Sequence, residues 1–474
     1  MKLTNKFLIG FMAIAACGCG QKQSDNPLLN DFTTPYGIAP FEEITIDNYR
    51  EGILLGMEEQ KAEIEAIINN PEEPTFQNTI VAMDQSGKLL RKVRGTFSPL
   101  TSSNSTEESR ALEKELSPLM SAHSDDINLN EKLFARVKKV YDNRENIKLT
   151  PEEKTVLENI YKRFVNSGAE LSETEKEKLR ELNQQLSMLE LTFSQNLLHE
   201  TNNTFVVANS LEELKGLPQA NIDAAAKMAA DNGQPGKWMF NMQRPSCNPV
   251  LQYCENRDLR KKVYDAYYNR GNTGNEYDSK EICRQLVTLR LEKAKLMGYN
   301  NYAEMVLEDR MAKTPEAVFE LLDQVWEPAV AKAKEELDDI RAEIRKEGKN
   351  FEPAGWDYMY YLDKAKRAKY SVDEQEIREY MEINNVMKGV FHVATQLYGV
   401  TFKEITADVP AYEPTAKAYE VIDKDGTVLA IFYSDNYPRE SKRAGAWCTS
   451  FRGQSYDGEE RIIPIVVNST NMTP

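Results

Sequence analysis

Residues 150–200 read TPEEKTVLENIYKRFVNSGAELSETEKEKLRELNQQLSMLELTFSQNLLHE, a pattern of two amphipathic helices in succession. Thr150 can cap the first, Pro151 gives up no N–H that an opening helical turn needs, and Glu153 can reach back to close a capping box. Val156, Leu157, Ile160, Tyr161 and Phe164 then recur on one face. Ser172 and Glu175 repeat the box, and Leu179, Leu182, Leu186, Leu189 and Phe193 follow at spacings of three and four. Carried to Glu200, the second helix is roughly 40 Å long. A helix that long with an apolar stripe needs a partner along its length, so helix pairing is expected.

The helical pattern continues downstream. Thr314-Pro315-Glu316 opens a helix bearing Val318, Leu321, Leu322 and Val325. Pro328 is expected to kink or interrupt it, and Gly348 to stop it after the charged run from Lys332 to Lys346, a solvated face. Near the C-terminus the period drops to two. Ala418 to Ile422 and Val428 to Tyr433 flank Lys424-Asp425-Gly426, a hairpin signal. Arg461 to Asn468 reads as a further strand. The expected fold is mostly α, with a small antiparallel sheet near the C-terminus and no internal repeat.

Composition narrows the function classes. The 474 residues carry 59 basic and 75 acidic side chains, a net charge of −16. Phosphate neutralisation needs clustered Lys and Arg, so no nucleic-acid partner is expected. Lys2 and Lys6 precede a short apolar run from Phe7 to Ala16, too short to span a bilayer. Ile14-Ala15-Ala16-Cys17 resembles the bacterial lipoprotein signal, with residues 1–16 as the signal peptide, Cys17 as the lipid attachment site and 17–30 as a tether. Cys19 is the weaker alternative for attachment, and an ordinary secretory signal is the bland reading. The expectation is an exported chain, anchored by lipid alone on the periplasmic side or the cell surface. Of the remaining cysteines, Cys247 and Cys254 lie about 10.5 Å apart along a helix, beyond disulfide reach, and are expected as buried free thiols.

Several chemistries are missing from the pattern. Zinc catalysis on a helix commonly takes two His four positions apart with a Glu between them. The histidines are His123, His199 and His392, all far apart. His123 is expected in a loop, His199 at the end of a polar helix and His392 packed within one. No C-x-x-C occurs. Gly453-Gln454-Ser455-Tyr456-Asp457 lacks the second Gly of a serine-hydrolase elbow. From the residues alone no catalytic or metal-ligating position is assigned.

A resemblance reaches further. Asn26-Pro27-Leu28-Leu29, Thr34-Pro35-Tyr36-Gly37-Ile38-Ala39-Pro40-Phe41 and the run Asn70 to Ile80 look like the opening of bacterial peptidyl-dipeptidases (dipeptidyl carboxypeptidases). These belong to the thimet oligopeptidase and oligopeptidase A family of zinc metallopeptidases. Asn256-Arg257-Asp258-Leu259-Arg260, Tyr267 to Gly271, Leu296-Met297-Gly298-Tyr299, Met311 to Pro315, Trp356-Asp357 with Tyr360-Tyr361, and Leu397 to Phe402 follow in family order. So do Tyr437-Pro438-Arg439, Lys442-Arg443-Ala444-Gly445-Ala446-Trp447 and Asn468 to Pro474.

The resemblance implies two helical lobes around a narrow channel that admits short peptides, with an N-terminal helical region over 31–251 and a partial catalytic region over 252–474. It implies zinc, held in the family by an H-E-x-x-H helix that follows the segment ending here at Pro474. On that reading the catalytic lobe is incomplete, the family's ligands and general base map to no position of this sequence, and these residues alone are inactive. Exposed apolar surface is expected where missing helices would cover the sheet. Arg439, Lys442 and Arg443 stand as possible substrate-channel residues, or as a basic loop anchoring the sheet. The competing reading is a non-catalytic helical surface lipoprotein that binds a peptide or protein partner.

Overall fold

A computed structural model describes residues 24–472. The signal and Cys17 lie outside the described residues. Packing begins inside the expected 17–30 tether: the Asn26 side chain accepts from Leu28 N at 3.0 Å, and Leu28 is fully buried.

The N-terminal region is built of α1 (Ile46–Ile68), α2 (Ala82–Gln85), α3 (Lys88–Ser103), α4 (Glu107–Asn128), α5 (Glu131–Asp142), α6 (Pro151–Asn166) and α7 (Glu173–Asn203). Both expected capping boxes form. Thr150 N donates to Glu153 Oε2 at 2.8 Å, and Ser172 N to Glu175 Oε2 at 2.9 Å. The α6 stripe of Leu157, Ile160 and Phe164 meets Ile64, Ile80, Leu133 and Val137 in one core. Leu28, Tyr49, Ile53, Val93, Phe97, Leu112 and Leu116 make a second, between α1, α3 and α4. Each such side chain contributes about 1.5–3 kcal/mol by leaving water.

Strands β1 (Phe205–Ala208) and β2 (Trp238–Asn241) pair antiparallel around α8 (Gln219–Asp231). Then come α9 (Arg244–Tyr253) and α10 (Arg257–Tyr268). Their shared core runs from Val206 to Val263, across residues 251 and 252, and holds Cys247 and Cys254 as buried free thiols.

α11 (Lys280–Leu296) lies along α7, which also packs against α4, giving the long helix its expected partners. After α12 (Tyr302–Leu307), α13 (Pro315–Lys346) runs without a break through Pro328. The expected interruption is absent because residues 321–329 are exposed, so water can meet the carbonyl that Pro328 leaves without a donor. Phe319, Leu321, Leu322, Val325 and Trp326 stand exposed on this helix. α14 (Gly355–Tyr370), α15 (Glu374–Tyr380) and α16 (Ile383–Tyr398) follow. α16 stacks Phe391 on Phe402 of the sheet at 4.1 Å and leaves Val390, Val393 and Leu397 exposed. Exposed apolar surface thus appears on these two helices.

The C-terminal sheet comprises β3 (Thr401–Glu404), β4 (Lys417–Ile422), β5 (Val428–Asp435), β6 (Trp447–Arg452) and β9 (Ile465–Ser469) in the order β3-β4-β5-β9-β6. Strands β7 (Ser455–Asp457) and β8 (Glu460–Ile462) form a separate hairpin. The β4–β5 hairpin is where the sequence pattern put it. The sheet, however, is mixed rather than antiparallel. The chain leaves β5, crosses to the far edge as β6, and returns between them; a strand antiparallel to β6 then runs parallel to β5. The strand expected over 461–468 is split at Pro464, which has no N–H for the ladder. Ile38 joins Ile431, Tyr433, Phe451, Ile465 and Val467 in the sheet's core, with Phe41 packed against them.

Candidate functional site

The family-like motifs converge on two buried aspartates. Asp357, fully enclosed, receives Arg257 through Nε and Nη2 at 2.9 and 2.7 Å, and Arg260 Nη2 at 2.9 Å. The run Asn256 to Arg260 therefore meets Trp356-Asp357 in space, tying α10 to α14. Asp435, at the end of β5, is equally enclosed. It receives Arg439 Nη1 and Nη2 at 2.9 and 2.8 Å, Lys442 Nζ at 2.8 Å and the Tyr412 hydroxyl at 2.9 Å.

Burial pushes the Asp435 carboxyl up, but hydrogen bonds from Arg439 and Lys442 outweigh it and hold the group below its ordinary value. Burial also draws Lys442 down, towards the neutral amine, against the pull of Asp435. The geometry decides between these. Lys442 Nζ meets three acceptors, Asp435 Oδ1, Asp435 O and Tyr437 O, at 2.8–3.0 Å. Only an ammonium has three donors, so the pair is ionic.

This fixes where the three basic residues lie. Lys442 is fully buried and Arg439 mostly so, both turned to Asp435. Arg443 is exposed, its guanidinium 4.5 Å over the Trp447 ring. The loop 436–446 docks on the N-terminal helices. Arg443 N donates to Ser102 O at 3.0 Å, Ser105 N to Ser441 O at 2.9 Å, and Asn202 Nδ2 to Glu440 O at 2.8 Å.

Beside that docking point opens a polar cavity of about 830 Å³ between α3, α4, α7 and α11. Ser98, Thr101 and Ser102 line it from α3, and Ser117, Ser121 and Ser124 from α4. Lys293 Nζ donates to Asn183 Oδ1 at 2.7 Å, and Asn183 Nδ2 to Asp125 Oδ1 at 2.9 Å. Burial lowers Lys293 and raises Asp125 from their ordinary values. Arg290 Nη2 meets Glu190 at 2.7 Å. Glu113 also lines it, and burial pushes its carboxyl up, against hydrogen bonding to Thr101 and Gln195. Such a lining of hydroxyls and amides suits the backbone of a peptide, which offers donors and acceptors at every residue.

None of these residues was found from the sequence. They sit on separate helices, where each reads as a solvated face. The one available signal was the Ser117, Ser121, Ser124 stripe at helical spacing, on a helix packed on both sides.

The histidines do not come together. His123 lies buried in α4, not in a loop, with Nε2 2.7 Å from Gln60 Oε1. His199 stacks on Tyr277 at 3.7 Å near the end of α7. His392 is exposed on α16 rather than packed, because Phe391 beside it takes the face turned to the sheet. Among the described residues no group of three or more His, Cys, Asp or Glu is placed to hold a metal.

A helical chain with a mixed sheet strapped to it and a peptide-sized polar cavity is the setting in which the comparisons fall. Residues 250–474 match the model of peptidase family M3. The chain is 35% identical over 447 residues to the dipeptidyl carboxypeptidase of Escherichia coli (strain K12), covering 94% of this chain and 65% of that protein. It is 34% identical to the dipeptidyl carboxypeptidase of Salmonella typhimurium, covering 94% and 66%. To the oligopeptidase A of Haemophilus influenzae it is 30% identical, covering 89% and 62%. The chain thus spans just under two thirds of the length of the relatives it matches.

Proposed function

We propose that this chain is part of a metallopeptidase that acts on short peptides and removes dipeptides from their C-termini. The observation that carries the reading is the 35% identity to a dipeptidyl carboxypeptidase, which runs through both the N-terminal helices and the C-terminal sheet. The polar cavity beside the 436–446 loop supports it. Arg439 and Lys442 hold that loop through Asp435, and Arg443 is the basic residue left to face a substrate. Zinc in the working enzyme would lower the pKa of a bound water and polarise the scissile carbonyl. Among the described residues no group is placed to hold it, and these residues are proposed to be inactive by themselves. Cys17 is proposed as the lipid anchor of an exported protein.

The test compares two proteins on a short N-blocked peptide. The chain alone, given zinc, should release no dipeptide. A chimera that adds the part of the Escherichia coli relative not matched here should release it, and a chelator should stop it. Chelator-sensitive turnover by the chain alone would overturn the inactivity. A folded, zinc-loaded chimera without turnover would overturn the peptidase reading and favour a binding protein.

A further inference from the structure

His123 is enclosed in α4, only 4% exposed. Its Nε2 lies 2.7 Å from Gln60 Oε1 of α1, and among the described residues its Nδ1 meets no hydrogen-bond partner. The neighbouring bonds fix where the ring proton sits. Ser86 Oγ donates to Met83 O at 2.8 Å, so its lone pairs can accept from Gln60 Nε2 at 3.4 Å. That turns the Gln60 carbonyl oxygen to the ring, and an amide oxygen only accepts. Nε2 therefore carries the proton, and Nδ1 a bare lone pair. Gly87 keeps the amide in place: its φ is +71°, and a Cβ there would stand 2.6 Å from the Gln60 amide. One neutral imidazole thus clips α4 to α1 and to the turn between α2 and α3.

A second proton would have to enter at Nδ1, and the surrounding charges do not favour it. Lys61 of α1 and Arg94 of α3 oppose a positive ring, and Asp126 of α4 is the carboxylate that favours one. Asp126 already holds Lys61 at 2.8 Å and Arg180 of α7 at 3.0 Å. Glu63 of α1 accepts from Gly87 N at 2.6 Å, and Asp125 of α4 from Asn183 of α7 at 2.9 Å. Burial, then Lys61 and Arg94, accordingly lower the imidazole from its ordinary value against the pull of Asp126. An enclosed cation without a counter-ion is costly, so the charged ring is accommodated where water reaches it.

We propose that His123 is an acid-released latch: neutral, it holds the second half of α4 against α1 and the α2–α3 turn, and its protonation lets them part. The latch stands in the wall of the polar cavity, between Ser121 and Ser124, which line that space, so acid loosens the wall. Once opened, the imidazole titrates near its ordinary value of about 6.5, and when closed it titrates lower. The latch is therefore fully held above about pH 6.5. Below that, the opening equilibrium rises about tenfold for each pH unit until the folded value is reached.

Hydrogen exchange on the whole chain between pH 5 and 8, each rate divided by its intrinsic value, tests it. In the wild type, protection over residues 120–128 and 83–88 should be level above about pH 6.5 and fall about tenfold per unit below it, while α6 keeps its protection. His123→Asn should remove the fall. Gln60→Glu places a carboxylate against the ring and should hold protection level or raise it in the same range. Wild-type protection that is flat from pH 5 to 8, a fall shared equally by α6, or a fall that persists in His123→Asn would overturn the latch. So would a fall in Gln60→Glu as steep as in the wild type, and this arm and the wild-type profile decide the matter if His123→Asn does not fold.

Discussion

Replacing Asp435 with Ala removes the acceptor for Arg439, Lys442 and Tyr412 at once. Arg439 retains the Glu413 carboxylate 3.4 Å from its Nε. Lys442 has no such recourse, since its side chain is fully enclosed and its remaining partners are two carbonyls. An exposed ion pair would cost 0–1 kcal/mol to break. An enclosed cation stripped of its counter-ion costs about 3–5 kcal/mol, and that is the expected loss. It should appear first where the loop is docked, as faster hydrogen exchange at the amides of Ser105 and Arg443, by about a hundredfold or more. Lys442→Met in the same background removes the stranded charge and should recover part of the loss. The network also sets an acid limit. Because the Asp435 carboxyl sits below its ordinary value when folded, its contribution is complete above the unfolded value of about 3.9 and disappears as pH falls through the folded one. Asp435→Asn should therefore flatten part of the stability loss below about pH 4. A urea midpoint shift worth less than about 1 kcal/mol for Asp435→Ala, with unchanged exchange at Ser105, would refute the reasoning.

Other consequences are testable with single changes. A Cβ at Gly95 of α3 would lie 2.6 Å from the Phe451 carbonyl of β6, so Gly95→Ala should destabilise by about 1–3 kcal/mol despite its better helix propensity. Gly389→Ala on α16, where nothing lies near, should instead stabilise by up to about 1 kcal/mol, read as a higher melting point. Leu322→Lys with Trp326→Lys on the exposed face of α13 should leave chemical stability within about 0.5 kcal/mol and reduce binding of an apolar dye. Cys17→Ser should abolish incorporation of labelled palmitate and release the protein from the membrane fraction; labelling retained by that variant would move the anchor to Cys19 or elsewhere.

The parts of the fold legible in the sequence were those governed by local rules. The caps at Thr150 and Ser172, the leucine stripe of α7 and the turn after Ile422 each depend on residues a few positions apart. The mixed sheet was not legible, because the direction of β9 depends on which neighbour it reaches, a matter of topology. Pro328 misled because a proline's cost depends on whether its freed carbonyl meets water, and exposure of α13 is a tertiary fact. His123 and His392 exchanged their expected surroundings for the same reason: helix faces are assigned by partners. The motifs around Arg257, Trp356 and Tyr437 carried the family resemblance, yet their pairing through Asp357 and Asp435 joins positions up to a hundred apart. The cavity was hidden more thoroughly, since a polar residue facing an enclosed space and one facing bulk solvent read identically.

The strap over 436–446 has a consequence for the order of assembly. Backbone bonds from Ser102 and Ser105 to Arg443 and Ser441 span well over three hundred positions, and Phe451 packs beside Ile38 and Phe41. On the ribosome, the cores of α1 to α6 can close on contacts local in sequence, whereas α3 waits with one flank bare until the residues of β6 have emerged. Closure of so long a loop adds only slowly to the entropic cost but sets the pace of the final step. The late intermediate should be one in which the helices are formed and the sheet is still unattached.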